Sequence, residues 1–248
     1  MHDSIDLNAL FSIKNKVIVI TGASRGIGKF IAQSFSSMGA IVYGFARSEL
    51  DEKVNFKYFK CDVTDKKKFD FCCNEIIHKE KKINVFINNA GITLNDPELP
   101  NSFIETLNVN LVAAYECSRT IISFMKETGG GSIINVTSIA SELGFPLNPG
   151  YIVAKGGLSA LTRSLAYDYG KYQIRVNNLS PGYIKTDMTQ ASYNNPDANE
   201  ARKNRTILGR WGNEEDLLGA FVFLASDASK YLTSTDIVID GGWSKKGL

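Results

Sequence analysis

Short runs of aliphatic and β-branched residues alternate along the chain with longer segments whose apolar positions recur every three or four residues. The runs fall at 16–21, 40–45, 56–61, 83–88, 132–138, 174–179 and 235–239 and read as strands. The amphipathic segments fall at 27–38, 65–79, 101–126, 151–168 and 214–225 and read as helices. Strands apolar on both faces belong to a sheet covered on both sides, and strict strand–helix alternation makes that sheet parallel. The predicted class is therefore α/β: a doubly wound parallel sheet of about seven strands flanked by helices. No repeat, low-complexity tract or linker interrupts the pattern, so residues 14–248 read as one domain behind an N-terminal extension, 1–13. One connection departs from it. Arg47 to Asn55 is too short for an ordinary helical crossover, so a stub or bare loop is expected there.

Composition narrows the picture mainly by exclusion. A chain of 248 residues, 44% hydrophobic, can bury one substantial core. Its net charge of +2 gives no argument for nucleic acid or a membrane surface. The basic runs at Lys66–Lys68 and Lys79–Lys82 fit solvated helix faces. No apolar stretch approaches a membrane span, and the opening MHDSIDLNALFSIKNK lacks the basic start and apolar core of a secretory signal. Cys61, Cys72, Cys73 and Cys117 have neither disulfide nor zinc spacing, which suits reduced thiols in a cytoplasmic protein. With only His2 and His78 present, neither a histidine-based triad nor a histidine-rich metal site is expected, and no metal is predicted.

Two constellations carry chemistry. The first strand runs into Gly22-Ala23-Ser24-Arg25-Gly26-Ile27-Gly28 and then into a helix. That arrangement points backbone N–H groups at a helix N-terminus towards a pyrophosphate. Gly22 permits the tight turn, Gly26 the close approach, and Gly28 the packing of helix on strand. The second is Tyr151 and Lys155, one helical turn apart on one face. A phenol ordinarily titrates near pH ~10, and a neighbouring ammonium favours its ionised form, which makes it a usable acid or base.

Together these segments resemble the short-chain dehydrogenase/reductase family, from about Lys14 to Trp243. The motifs appear in order: TGASRGIG at 21–28, NNAG at 88–91, Asn110, Ser138, YIVAK at 151–155 and PGYIKT at 181–186. The resemblance implies a single-domain Rossmann fold, hydride transfer with a nicotinamide cofactor, and a catalytic set of Ser138, Tyr151, Lys155 and Asn110. In that set Tyr151 exchanges the proton and Ser138 holds the substrate oxygen. Lys155 lowers the Tyr151 pKa and bonds the ribose hydroxyls, and Asn110 holds a water leading to solvent. The resemblance further implies cofactor contacts at Gly22, Ser24, Arg25, Gly26, Ile27, Gly28, Asp62, Val63, Asn89, Ala90, Gly91, Tyr151, Lys155, Pro181, Gly182, Ile184 and Thr186.

The cofactor expected is NADP(H) rather than NAD(H). Where NAD-type members carry an aspartate at the end of the second strand, this chain has Ala46, followed by Arg47, with Arg25 in the glycine loop. Two guanidinium forks suit a 2′-phosphate. Glu49 and Asp51 lie nearby, beyond the expected strand end.

The substrate is a small carbonyl or alcohol compound, and the residues say less about it. Lys185 to Gly212 is polar and stands where the family carries a substrate lid, with Glu142 to Asn148 expected beside it. Glu142, Asn148 and the asparagine-rich lid suit a hydroxylated, sugar-like or polyol substrate. The 3-oxoacyl-carrier-protein reductases, which share TGASRGIG and NNAGIT, make a 3-oxoacyl thioester the alternative. A cofactor-binding sensor or scaffold without turnover is the alternative of another class. The resemblance also implies a homotetramer, through helices carrying Leu111, Tyr115, Leu161, Leu165 and Tyr169 and a second contact around Trp243, with a dimer using one patch as the alternative.

Overall fold

The computed structural model describes residues 6–50, 53–94 and 102–247. The start of the extension, Asp51 and the expected helix start at Asn101 lie outside the described residues. Seven parallel strands form one sheet: β1 (Val17–Thr21), β2 (Ile41–Ala46), β3 (Lys57–Lys60), β4 (Val85–Asn88), β5 (Gly131–Val136), β6 (Ile174–Pro181) and β7 (Asp236–Ile239). Their order is β3-β2-β1-β4-β5-β6-β7. The register is continuous, with Val19 opposite both Tyr43 of β2 and Phe86 of β4.

Alternation along β1 divides the core. Val17 and Val19 join the cluster under α3 (Lys66–Glu80), α5 (Ala113–Glu127) and α6 (Pro149–Tyr169). Ile18 and Ile20 join the cluster under α2 (Gly26–Ser37) and α9 (Glu215–Ala225). Both faces are covered, which is why the strand sequences are apolar throughout. Three further helices were not expected from the pattern: α1 (Leu7–Leu10), α7 (Gln190–Asn194) and α8 (Pro196–Arg205). The last two build the segment between Lys185 and Gly212. Between β2 and β3 no helix occurs among the described residues.

The expected helix at 101–126 is not uniform. Ser102–Leu107 (α4) passes into a π-helical turn, Asn108–Val112, before α5 resumes. The apolar residues assigned to an intersubunit face also divide differently. Leu165 is buried in the core, and Leu161 and Tyr169 pack against it. Leu111 fills the space left by Gly157, and Trp243 is buried against Tyr183. Of that set Tyr115 is exposed, joined by Phe103, Ile104, Val112 and Val153. A helical stripe turned towards a sheet and one turned towards a partner have the same periodicity, so sequence spacing does not separate them.

A chain of buried amides crosses the sheet. Asn88 Nδ2 donates to Asn135 Oδ1 at 3.2 Å, and Asn135 Nδ2 donates to Thr162 Oγ1 at 2.7 Å. Thr162 Oγ1 donates to Asn178 Oδ1 at 2.5 Å, and Asn178 Nδ2 reaches Asp236 at 2.7 Å. Thr162 is the one link on a helix, so it fixes α6 to β5 and β6. Replacing it by the near-isosteric valine strands a donor on Asn135 and an acceptor on Asn178. We expect Thr162→Val to cost about 2–6 kcal/mol, at about 1–3 for each of the two unsatisfied buried groups. A lowered urea midpoint with an unchanged slope checks this, with the exposed Ser123→Ala as a near-neutral control.

Candidate active site

Parallel strands diverge where the chain reverses direction across the sheet, and here that point lies between β1 and β4. The loops leaving these strands are tied to each other. Thr21 Oγ1 accepts the backbone N–H groups of Asn89 and Ala90, both at 3.0 Å, and Asn89 Nδ2 donates to the carbonyls of Thr21 and Gly22 at 2.9 and 3.2 Å. Gly22 takes a φ of +70°, which favours glycine. A methyl group on Gly28 would come within 2.3 Å of the Gly22 carbonyl oxygen, so α2 can approach the loop only with glycine there.

In front of this knot lies a cavity of about 380 Å³. Of the predicted residues, Gly22, Ser24, Arg25, Gly26, Ile27, Arg47, Asp62, Val63, Asn89, Ala90, Gly91, Ser138, Tyr151, Lys155, Pro181, Gly182, Ile184 and Thr186 line it together. Gly28 and Asn110 stand behind the wall. Sequence reasoning did not place Cys61, Ile92 or Val109 on this wall; single apolar residues in loops and helix turns offer little signal for such a role. The segment 142–148 does not reach the cavity, although Phe145 packs edge-on against Tyr183, with ring centroids 6.4 Å apart.

At one end of the cavity Arg25 and Arg47 are exposed, and neither guanidinium has a hydrogen bond or ion pair with another described residue. Ala46 ends β2 without a carboxylate, and Glu49 is turned away into an ion pair with Lys60 at 2.7 Å. The residues at this end therefore fit a phosphate-bearing dinucleotide: a glycine loop at a helix N-terminus, two guanidiniums unpaired among the described residues, and Ala46 in place of a carboxylate at the end of β2.

At the other end sit Ser138, Tyr151 and Lys155. Ser138 follows β5, and its hydroxyl accepts the Ala140 N–H at 3.1 Å, which fixes its rotamer. Pro149 starts α6, so Tyr151 lies in its first turn with Lys155 one turn on. Burial raises the Tyr151 pKa above its ordinary value; the hydrogen bond with Ser138 opposes that rise, and the proximity of Tyr183 adds to it. Lys155 is only 4% exposed, and burial lowers its pKa to about 8. Its Nζ donates to the Val136 carbonyl at 2.7 Å and lies 5.6 Å from the centre of the Tyr151 ring. The expectation that Lys155 lowers the Tyr151 pKa is thus not met in this arrangement. The ammonium is drawn to a strand-end carbonyl, and Ser138 is the group that favours the phenolate.

Asn110 has a structural role that the spacing did not indicate. Its Oδ1 accepts the Ile92 N–H and its Nδ2 donates to the Ile92 carbonyl, both at 2.8 Å. The side chain clamps the loop after β4, using one of its two N–H donors and one of its two lone pairs. Gly91 leaves it room, since a methyl group there would stand 3.3 Å from Asn110 Oδ1 and 3.7 Å from Lys155 Nζ.

Comparisons with known proteins agree with this geometry. A family model described as enoyl-(acyl carrier protein) reductase matches residues 22–244. The chain is 34% identical to the 2-dehydro-3-deoxy-D-gluconate 5-dehydrogenase of Pseudoalteromonas atlantica, over 94% of this chain and 97% of that one. It is 34% identical to the sorbose reductase of Candida albicans, over 95% and 89%. Among solved structures, a gluconate 5-dehydrogenase from Burkholderia cenocepacia, in complex with NADP and tartrate, superposes with a TM-score of 0.91 at 29% identity, covering 98% of this chain and 100% of that one.

The buried ammonium has a consequence for stability. Its folded-state pKa of about 8 lies below the ordinary 10.5, so the unfolded chain binds the extra proton between those values. Stability from this group therefore rises with pH across that window. Lys155→Met lacks the titration. Its stability relative to the wild type should be most favourable at pH 7 and should shift against the variant by pH 10. Urea unfolding at both pH values checks this, and a difference that does not change with pH would refute the burial argument.

Proposed function

The chain belongs to the short-chain dehydrogenase/reductase family, and we propose that it is an NADP(H)-dependent oxidoreductase interconverting a ketone and a secondary alcohol on a hydroxylated, sugar-acid-like substrate. One observation carries the reading: Ser138, Tyr151 and Lys155 meet at one end of a cavity whose other end holds a glycine loop and two unpaired arginines. The relatives named for gluconate derivatives and for sorbose support the substrate class.

Bound in this cavity, NADP(H) would supply or accept the hydride at the substrate carbon. The N–H groups of the glycine loop would hold the pyrophosphate, with Arg25 and Arg47 on the 2′-phosphate and Asp62 and Val63 beside the adenine. Ala90 and Gly91 would let the backbone approach the ribose on the nicotinamide side, whose hydroxyls Lys155 would bind. Pro181, Gly182, Ile184 and Thr186 would hold the carboxamide end. Gly28 and Asn89 keep the loop in shape. In reduction Tyr151 gives its proton to the carbonyl oxygen while Ser138 hydrogen-bonds that oxygen. A raised phenol pKa keeps the proton in place until negative charge develops on the oxygen. Asn110 acts through the Ile92 backbone as a positioning residue.

The assembly we propose is a homotetramer. Its support is the exposed apolar strip at Phe103, Val112, Tyr115 and Val153, on the π-interrupted helix and α6. Four free, buried cysteines support a cytoplasmic setting. No described helix is long and apolar enough to cross a membrane.

Tyr151→Phe should lower kcat for NADPH-driven carbonyl reduction by about 10²–10⁴-fold, with NADPH affinity nearly unchanged, because only the transferable proton is lost. Retention of more than about a tenth of the wild-type rate would remove Tyr151 from the chemistry. Separately, Arg47→Asp should weaken NADPH far more than NADH, since it sets a carboxylate against a phosphate. Fluorescence titration of both cofactors reads the ratio, and an unchanged ratio takes Arg47 out of the phosphate site.

A further inference from the structure

The lid between Lys185 and Gly212 carries five basic side chains, and four of them are either paired or exposed. Lys185 is exposed and hydrogen-bonds the Tyr193 phenol, Lys203 lies 4.0 Å from Glu200, and Arg210 forms a two-pronged ion pair with Asp216 at 2.7 and 2.8 Å. Arg205 is exposed over Trp243. Arg202, on α8, differs from all of them. It is half-buried, its guanidinium carbon sits 4.8 Å above the centre of the Tyr183 ring, and its Nε is buried with no acceptor. Its one hydrogen bond goes from a terminal nitrogen to the Ala198 carbonyl of its own helix, at 3.0 Å, and no carboxylate pairs with it. Taking a cation part-way out of water without an anion is unfavourable, so such a group is poised for one.

Its surroundings indicate where that anion would come from. Tyr183 rests on Trp211 and Trp243, with ring centroids 5.3 and 4.7 Å away, and meets Phe145 from the segment facing the lid. Tyr183 stands in the chain between Gly182 and Ile184, both of which line the cavity that holds Tyr151. A guanidinium seated over an aromatic face with one terminal nitrogen on a carbonyl keeps its other terminal nitrogen for a carboxylate. We propose that Arg202 is the specificity-determining residue of this enzyme, receiving the carboxylate of an acidic sugar whose carbonyl lies at Tyr151 and Ser138. The inference rests on the hydroxylated-substrate reading and names its acidic group.

Two probes isolate the contact. 5-Keto-D-gluconate and L-sorbose present the same ketone and hydroxyl pattern and differ in one group, a carboxylate in the acid where the sugar has a hydroxymethyl. The kcat/KM ratio of acid to neutral sugar, with NADPH, should fall about 10–100-fold in Arg202→Gln, the span of a charge-assisted hydrogen bond. The change should sit in KM for the acid, and Arg202→Lys should restore part of it. An unchanged ratio, whether both activities persist or both fall together, makes Arg202 a lid-packing residue and overturns the proposal. A wild type that reduces neither compound overturns the substrate reading instead. Calorimetric titration of tartrate into the NADP-loaded enzyme then decides the Arg202 assignment without turnover: weaker binding in Arg202→Gln supports it, and equal binding or none in the wild type ends it.

Discussion

Keeping an ammonium group almost out of water at the end of β5 makes demands on every element around it. Lys155 needs an acceptor, which the Val136 carbonyl provides at 2.7 Å. Gly91 borders it, where an added methyl group would stand 3.7 Å from Nζ and 3.3 Å from Asn110 Oδ1. The loop carrying Gly91 must hold still, and Asn110 clamps it through both backbone groups of Ile92. Asn110 in turn sits in a π-helical turn, where an extra residue per turn changes the direction in which side chains project. Burial leaves Lys155 titrating at about 8, close to neutrality. Hydroxyl and anionic groups of a bound dinucleotide would offset the same desolvation, so the strain in the protein alone becomes affinity in the complex.

The second constraint is topological. A parallel sheet whose order reverses between β1 and β4 must open a crevice there, but topology does not shape its walls. The shape comes from the hydrogen bonds joining Thr21 to Asn89 and Ala90. They tie the two loops behind the crevice and leave the glycine N–H groups facing forward. Asn89 therefore contributes to the cavity mostly by holding Gly22 and, through contact, requiring glycine at 28.

Much of this was legible in the chain. The seven strands were readable because burial on both faces leaves uninterrupted apolar runs, and α2, α3, α6 and α9 because each pairs an apolar stripe with a start signal or a glycine. The lid helix α8 was not, because PDANEARKNR buries no residue and has no stripe to detect. The π-turn was hidden for a different reason: one inserted residue leaves composition and period almost unchanged. The cavity residues were readable as spaced motifs, whereas the partners chosen by Asn110 and Lys155 were not. Spacing states that two groups can meet; it does not state which of several acceptors wins. Lys155 could face the Tyr151 phenol or a strand-end carbonyl, and the carbonyl is the nearer.

Charge in the cleft is arranged by position. Arg25 and Arg47 stand at one end of the cavity and the hydroxyls of Ser138 and Tyr151 at the other, while Arg202 stands on the lid over Tyr183. With an acidic substrate on Arg202, such an arrangement would orient dinucleotide and substrate separately around the reacting carbon. The stem of the lid is zipped, with Lys185 N–H to the Gly212 carbonyl and Gly212 N–H to the Tyr183 carbonyl, both at 3.0 Å. Its body is different, since α8 contributes no buried residue to the core. The apolar energy that seals a core is therefore small over this helix, which rests through Arg202 on the Tyr183 ring, while α7 rests through Tyr193 on Trp211. A segment anchored firmly at its stem and lightly along its body can open and close at modest cost. Its closed state is then weighted by what it covers, and an anion on Arg202 would add to that weight where the core adds least.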